Sequence, residues 1–492
     1  MGKLKLFIVL AFFIHSFSGI SQEQLGIRMD NYTGMDQAWI NPAFVASSPL
    51  TFDIHLVGLG LYVEQNYGFI HNTSLLDMKN KTDFVSAFDL EGKSVPKNAL
   101  VGDVYDTPNK KYLKFSGTLT GPSIMFKIAE QHSVGLFTNM RSALTASKIP
   151  AVLGYYAYDQ KAYQEGFTVT PFKGAGSIWN ETGIHYGLEI EKSNGTIAFG
   201  ANLKYNSFLE SGFFGLQNEM TYTKISPDSV SINYPAIEFA ITTGNINKFG
   251  YDSNTKEPIM GTPSVDFYGH GLSADLGASI QIEDRDIEGY RWRAGISVLD
   301  FGVANIKQKA EFHTSDPIPN ELTIDFEDLK TAKTVDELEK KISQLALGDP
   351  KASLKATSFK MGLPSAVSVQ GDYQFIQNLY VGGTIVQPFG LARYNLTRAA
   401  VLAVAPRFEN RYFSLTTPVV LRDWKSVRMG LAGRLGFVSF GTDNLGSFIR
   451  KKDFTGTDFY FAIRLNAVNL PNFLSGGGHK RSKKSKLGCY GF

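Results

Sequence analysis

The sequence predicts an all-β fold, a transmembrane antiparallel barrel of about 14 strands with an N-terminal plug and long extracellular loops. Three observations carry this. Apolar and polar residues alternate with period two over stretches of about ten residues or more, as a tilted strand crossing a bilayer requires. Beyond the first residues no apolar run approaches the ~18 residues of a membrane helix. Tight turns alternate along the chain with long links.

The elements follow in order. Met1 to Ser21 reads as a secretory signal peptide: Lys3 and Lys5 precede a short apolar run from Leu6 to Ile14, and Gly19 and Ser21 are small residues before a cut ahead of Gln22. Segment 22–50 is not strand-like and is long enough to enter a lumen. The barrel occupies 51–468, with strands expected at 51–63, 112–130, 132–145, 182–192, 195–210, 267–283, 289–303, 365–376, 379–389, 399–408, 411–421, 427–435, 436–444 and 457–468.

The alternation is plainest at 272–283. Leu272, Ala274, Leu276, Ala278, Ile280 and Ile282 share one face, and Ser273, Asp275, Gly277, Ser279, Gln281 and Glu283 the other. Stretches 196–206, 366–375 and 458–467 repeat the pattern. Oily faces turn outward to lipid. The lumen then receives Glu189, Glu191, Lys204, Asp275, Glu283, Arg291, Arg293, Asp372, Arg428, Arg434 and Arg464, whose mixed signs suit wall-to-wall pairing.

Short turns fall near 130–133, 192–195, 284–288, 377–378, 409–410 and 436, and longer links near 64–111, 146–181, 211–266, 304–364, 390–398, 422–426 and 445–456. Outer-membrane barrels are strung this way, with short periplasmic turns and long outer loops. Within one link, 334–346 reads as a helix with a capping box at Thr334 and Glu337 and an apolar stripe of Leu338, Ile342 and Leu345, expected to pack on the barrel rim, the alternative being a dedicated partner-binding helix. Pro122 lies inside the second strand and, lacking an amide donor, marks a strand break. Two readings stay open for it: a join between the membrane and loop parts of one long strand, or a gap in the wall. The basic tail, 469–492, reads as a flexible periplasmic segment.

Composition excludes several classes. The chain has 492 residues with 48 Gly and 1 Cys, so it is neither a collagen nor a disulfide scaffold, and Cys489 has no intrachain partner. Net charge is +3, but Lys3, Lys5 and the tail's five basic residues leave a slightly acidic body, which excludes a nucleic-acid partner. No HExxH, GxxxxGK[ST], GxGxxG or GxSxG pattern is present, so no catalytic residue, cofactor or metal is expected and the chain is not read as an enzyme. His185 and Glu189, two positions apart on one strand face, are expected as lumen neighbours.

Trp39-Ile-Asn41-Pro42-Ala43 resembles the NPA segment of the FadL-like superfamily of outer-membrane barrels, and of the PorV-like barrels of the Bacteroidota type 9 secretion system. Residues 25–56, with SFGTDNLGS and TDFYFAIRLN near the end, resemble an uncharacterised Bacteroidota outer-membrane family, a domain of unknown function. The resemblance implies that Asn41, Pro42 and Ala43 are hatch residues inside a 14-stranded barrel. It further implies a passive conduit for hydrophobic small molecules in the outer membrane of a Gram-negative bacterium. The alternative is a non-transporting docking barrel with an envelope or secretion protein as partner. Outer-membrane lipid is the expected surrounding in both.

Overall fold

A computed structural model of the chain describes residues 23–466, apart from 91–93, 106, 155–160, 234, 245–249, 252–257, 260–265, 285, 316–320 and 333. The expected signal peptide (1–21) and basic tail (469–492) lie outside the described residues.

Fourteen antiparallel strands close into a ring. They are β1 (Phe52–Gln65), β2 (Lys111–Thr120 with Ser123–Ile128), β3 (His132–Ile149), β4 (Lys173–Lys192), β5 (Gly195–Leu216), β6 (Gly269–Glu283), β7 (Tyr290–Ile306), β8 (Ala366–Ile376), β9 (Leu379–Pro388), β10 (Val401–Glu409), β11 (Phe413–Thr416 with Val419–Arg422), β12 (Ser426–Met429 with Leu431–Leu435), β13 (Val438–Thr442) and β14 (Gly456–Asn466). Each pairs with its neighbours in sequence, and β14 returns to β1 from Asp53↔Asn466 to Glu64↔Gly456, so the ring has no open edge. Closure gives every wall strand a hydrogen-bonded neighbour on both sides, the condition a bilayer imposes.

Side-chain direction decides which solvent each face meets. On β5, Phe199 and Leu203 are 48% and 53% exposed, whereas the intervening Asn202 and its neighbour Lys204 are 3% and 4% exposed. The same parity sends Leu272, Leu276, Ile296, Val369, Ile385 and Val404 outward and Asp275, Gln370 and Arg407 inward. An outer face this oily is one that lipid covers. Trp292, Tyr373, Phe375, Phe408 and Tyr412 add an exposed aromatic band near the short-turn end, where such rings sit at a membrane interface.

The wall is lopsided. Strands β4 and β5 run 20 and 22 residues, while β8 to β10 run 11, 10 and 9. The taller side extends beyond the expected 182–192 and 195–210 because Lys173–Glu181 and Ser211–Leu216 stay paired above the lipid belt, around a buried core of Trp179, Phe208, Phe213, Tyr268, Ile306 and Met361. A four-stranded sheet from the outer links (Gly166–Val169, Met220–Ser226, Ser229–Asn233, Leu322–Asp325) lies apart from the wall ladder.

Several expectations need correction. Strands 411–421 and 427–435 are each broken, at Thr417–Pro418 and at Gly430, where the Gly430 amide donates to the Pro418 carbonyl at 2.7 Å instead of continuing the ladder. The link at 422–426 is a tight turn, with Asp423 and Trp424 at positive φ. Glu191 and Glu283 are exposed at strand ends and leave the lumen set. The helix at 334–346 is present as Val335–Leu347, and the Thr334 hydroxyl caps it by accepting from the Glu337 amide at 3.1 Å. Its stripe does not pack on the rim: Leu338, Ile342 and Leu345 are each more than one-third exposed, and the buried residues are Glu339 and Ser343.

Candidate functional site

Residues 23–50 lie inside the ring. They form two short helices, α1 (Leu25–Arg28) and α2 (Ala43–Ala46), flanking a 3-10 turn at Gly34–Trp39, and almost all their side chains are buried. The polar lumen holds this plug. Arg434 Nε donates to Asp30 Oδ2 at 2.8 Å, and Ser414 Oγ donates to the same oxygen at 2.5 Å. Arg464 pairs with Asp36, which His55 Nδ1 also approaches at 3.2 Å. Asn31 Nδ2 donates to the Tyr290 hydroxyl at 2.9 Å, and Tyr290 donates to Asp372 at 2.6 Å. Removing one member of a buried ion pair costs about 3–5 kcal/mol, so this set pins the plug from several sides.

The expected hatch residues stand together against one arc of wall. Asn41 Nδ2 reaches the Ala278 carbonyl at 3.2 Å, the Ile296 carbonyl at 3.3 Å and Gln370 Oε1 at 2.9 Å, while its Oδ1 accepts from the Ala43 amide at 2.9 Å. Pro42 precedes α2, and Ala43 belongs to a small buried cluster with Ala46 and Ala198. The seat is made by glycine: a Cβ at Gly200 would lie 2.3 Å from the Pro42 carbonyl carbon, and one at Gly277 would lie 2.0 Å from Asn41 Oδ1. These two glycines face each other directly across β5 and β6. A dipeptide whose side-chain amide bonds three separate groups while its backbone meets bare backbone is a positional lock.

Above the plug the wall carries a second charged group. Arg141 Nη1 donates to Glu181 Oε1 at 2.7 Å and Asp300 Oδ1 at 3.0 Å. Lys204 bridges Asp300 and Asp275, and Arg398 Nε pairs with plug residue Glu23 at 3.1 Å. Trp39 lies under both Arg28 and Arg141, with guanidinium carbons 4.7 and 4.9 Å from its ring centre. Two cavities open here. One, a narrow cleft, lies between Asp36 and Trp39 of the plug, Thr120, Ser123 and Asn139 of the wall, and Lys204 and Asp300. The other, equally narrow, lies between Glu23, Trp39, Tyr62, Arg141, Trp179 and Arg398. Arg28 Nε, Glu181 Oε2 and Arg398 Nη1 are buried without a hydrogen-bond partner, a condition native interiors rarely tolerate without water or a ligand.

The link between β9 and β10 folds over this space. Its Tyr394 ring stacks on Phe213 at 3.7 Å, and the Gly362 amide donates to the Tyr394 carbonyl at 2.9 Å. Leu396 is fully buried in the collar core. The chamber is therefore floored by the plug and roofed by this strap.

Pro122 is exposed on the outer face of β2 and, with Gly121, interrupts that strand between Thr120 and Ser123. Strand β1 keeps one register with both pieces, Gly58↔Thr120 and His55↔Ser123. The Gly121 amide still donates to the Thr138 carbonyl at 2.8 Å. The residues flanking the interruption line the first cavity. His185 and Glu189 both face inward but do not meet: His185 Nδ1 bonds Asn202 at 2.8 Å, and Glu189 pairs with Lys127 at 3.1 Å. Arg407, Glu409 and Asp300 were missed as lumen residues. The first two share the parity of inward Ala403 and Ala405 and were legible; Asp300 sits at positive φ where the β6–β7 register slips, so parity fails there.

A closed antiparallel β-barrel with a lumenal plug is the class this geometry defines. Residues 42–443 match the model of a family of unknown function (DUF5723), and the chain belongs to that family. No curated protein matches it. Among solved structures it is similar to the TodX monoaromatic hydrocarbon channel deltaS2 mutant, at 9% identity over 88% of this chain and 93% of that one, with a TM-score of 0.35. It is similar to a Pseudomonas aeruginosa FadL homologue at 11% identity over 91% and 98%, with a TM-score of 0.25. The translocator domain of the autotransporter NalP from Neisseria meningitidis is similar at 8% identity over 88% and 95%, with a TM-score of 0.30. The barrel assignment rests on the strand ladders of this chain.

Proposed function

We propose that the mature protein is an outer-membrane conduit, held shut at rest, for hydrophobic small molecules that carry a polar head. The observation that carries this is the cavity between Trp39 and the Gly121–Pro122 interruption, which joins an aromatic face, unpaired buried polar atoms and the weakest part of the β2 ladder. A wholly apolar solute would gain nothing from so charged a wall; an aromatic acid or an amphiphile would use both the cations and the rings. Entry is from the long-loop side past the strap. Exit is sideways at Pro122, since the plug closes the axial path.

Proteoliposomes loaded with the protein test this, with passage of a small aromatic acid as readout. Cysteines at Gly121 and Thr138, which face each other across β2 and β3, should lower passage when oxidised and restore it when reduced. Deleting 23–50 should raise passage. Passage indifferent to both changes contradicts the proposal.

A second reading, a docking barrel for an envelope protein, is favoured by the plug's anchorage all round and by the roofed mouth. In that case removing 307–358, which leaves β7 and core residues Ile306 and Met361 in place, abolishes capture of a partner while the barrel stays folded. Capture no greater than background from the intact chain contradicts it.

A further inference from the structure

The outer link between β7 and β8 contains a polar cluster that neither reading uses. Strand Ala310–Thr314 places Glu311 and His313 on one face, two residues apart. Helix α3 (Val335–Leu347) lays Glu339 against them. His313 and Glu339 are 4% and 5% exposed. His313 Nε2 lies 3.5 Å from Glu311 Oε2 and in contact with Glu339 Oε1, and Glu339 Oε2 is buried without a hydrogen-bond partner. One ligand atom from each of the three residues lies within 4.8 Å of the other two.

We infer that Glu311, His313 and Glu339 form a binding site for a divalent transition-metal cation of the zinc class, which fastens α3 to the strand.

Three features point this way. A nitrogen and two carboxylate oxygens are a donor set that zinc accepts. The His313 Nδ1 is bonded to Ser353 Oγ at 3.0 Å, and Ser353's amide is in turn held by Ser343 Oγ at 3.2 Å. This is the outer support that fixes a ligating imidazole and aims its other nitrogen at the metal. The ring also stacks on Phe239 at 4.6 Å, which sets its plane. Finally, α3 buries its polar face and leaves its apolar stripe half exposed, the reverse of an amphipathic helix held by hydrophobic packing.

The test uses the full mature chain in detergent micelles, stripped with a chelator and titrated with zinc chloride by calorimetry. Tryptic cleavage at Lys340, exposed on the same helix, gives a readout independent of transport. The wild type should bind zinc saturably in about a 1:1 ratio and resist cleavage at least ~10-fold better with zinc than without. His313→Ala should lose both effects. Glu311→Gln, at a partly exposed position and less prone to disturb folding, should weaken affinity by about 10–100-fold. Glu337→Gln should leave both unchanged. Absence of saturable binding by the wild type, or binding by Glu311→Gln equal to the wild type, overturns the inference.

Discussion

Gly200 and Gly277 are where the Asn41-Pro42 pair meets the wall, and a single methyl group there has nowhere to go. Gly200→Ala should displace the plug at a cost of about 1–3 kcal/mol, the usual penalty of overfilling a packed site. Limited proteolysis of 23–50 in the folded barrel reads this directly. Faster cleavage is expected, and cleavage at the wild-type rate would show that the seat is not tight. Asn41 was legible in the sequence because an Asn-Pro-Ala tripeptide between a leader and a first strand resembles a hatch. Its seat was not. Gly200 and Gly277 read only as small residues on a polar strand face, and nothing in the linear order ties them to a residue more than 150 positions earlier. The plug's Asp30 and Asp36 were equally silent, since a segment without periodicity gives no face to assign.

Strands and their links set the next level. Period two exposed the fourteen wall strands because one face meets lipid and the other a charged lumen, so every second residue is constrained. It misled where the ladder breaks. Pro418 and Gly430 interrupt neighbouring strands, and each break keeps its partners through a single cross-strand bond. Helix α3 was legible from its cap and stripe, but its orientation was not: the stripe argued for packing, whereas Glu339 meets His313 and Ser343 bonds Asp349 and Ser353. The strap between β9 and β10 had no signal beyond its length. Its Tyr394 ring is one anchor beside buried Leu396 and the Arg398–Glu23 pair, and Tyr394→Ala should loosen it by about 3 kcal/mol, the lower end for deleting a buried aromatic. The expected result is faster tryptic cleavage at Arg393 and Arg398 with no change in barrel mobility on a semi-native gel. Unchanged cleavage would place the strap's anchorage elsewhere.

For the molecule as a whole, one arrangement explains the composition: near-equal numbers of acidic and basic residues, 49 Lys+Arg and 46 Asp+Glu, gathered largely away from lipid, with aromatic and aliphatic side chains turned out. Charge is stored as wall-to-plug and wall-to-wall pairs, and the outer surface would be insoluble in water. The plug, the chamber and the lateral interruption have meaning only if that surface is covered by a bilayer. Single cysteines placed at Phe199 and at each position from Ala201 to Tyr205, in a Cys489→Ser background, test this most directly. After reconstitution, each is labelled with a fluorophore and quenched by a lipid-soluble spin probe. The account predicts strong quenching at 199, 201, 203 and 205 and weak quenching at 202 and 204; quenching that is uniform, or strongest at the even positions, would contradict it.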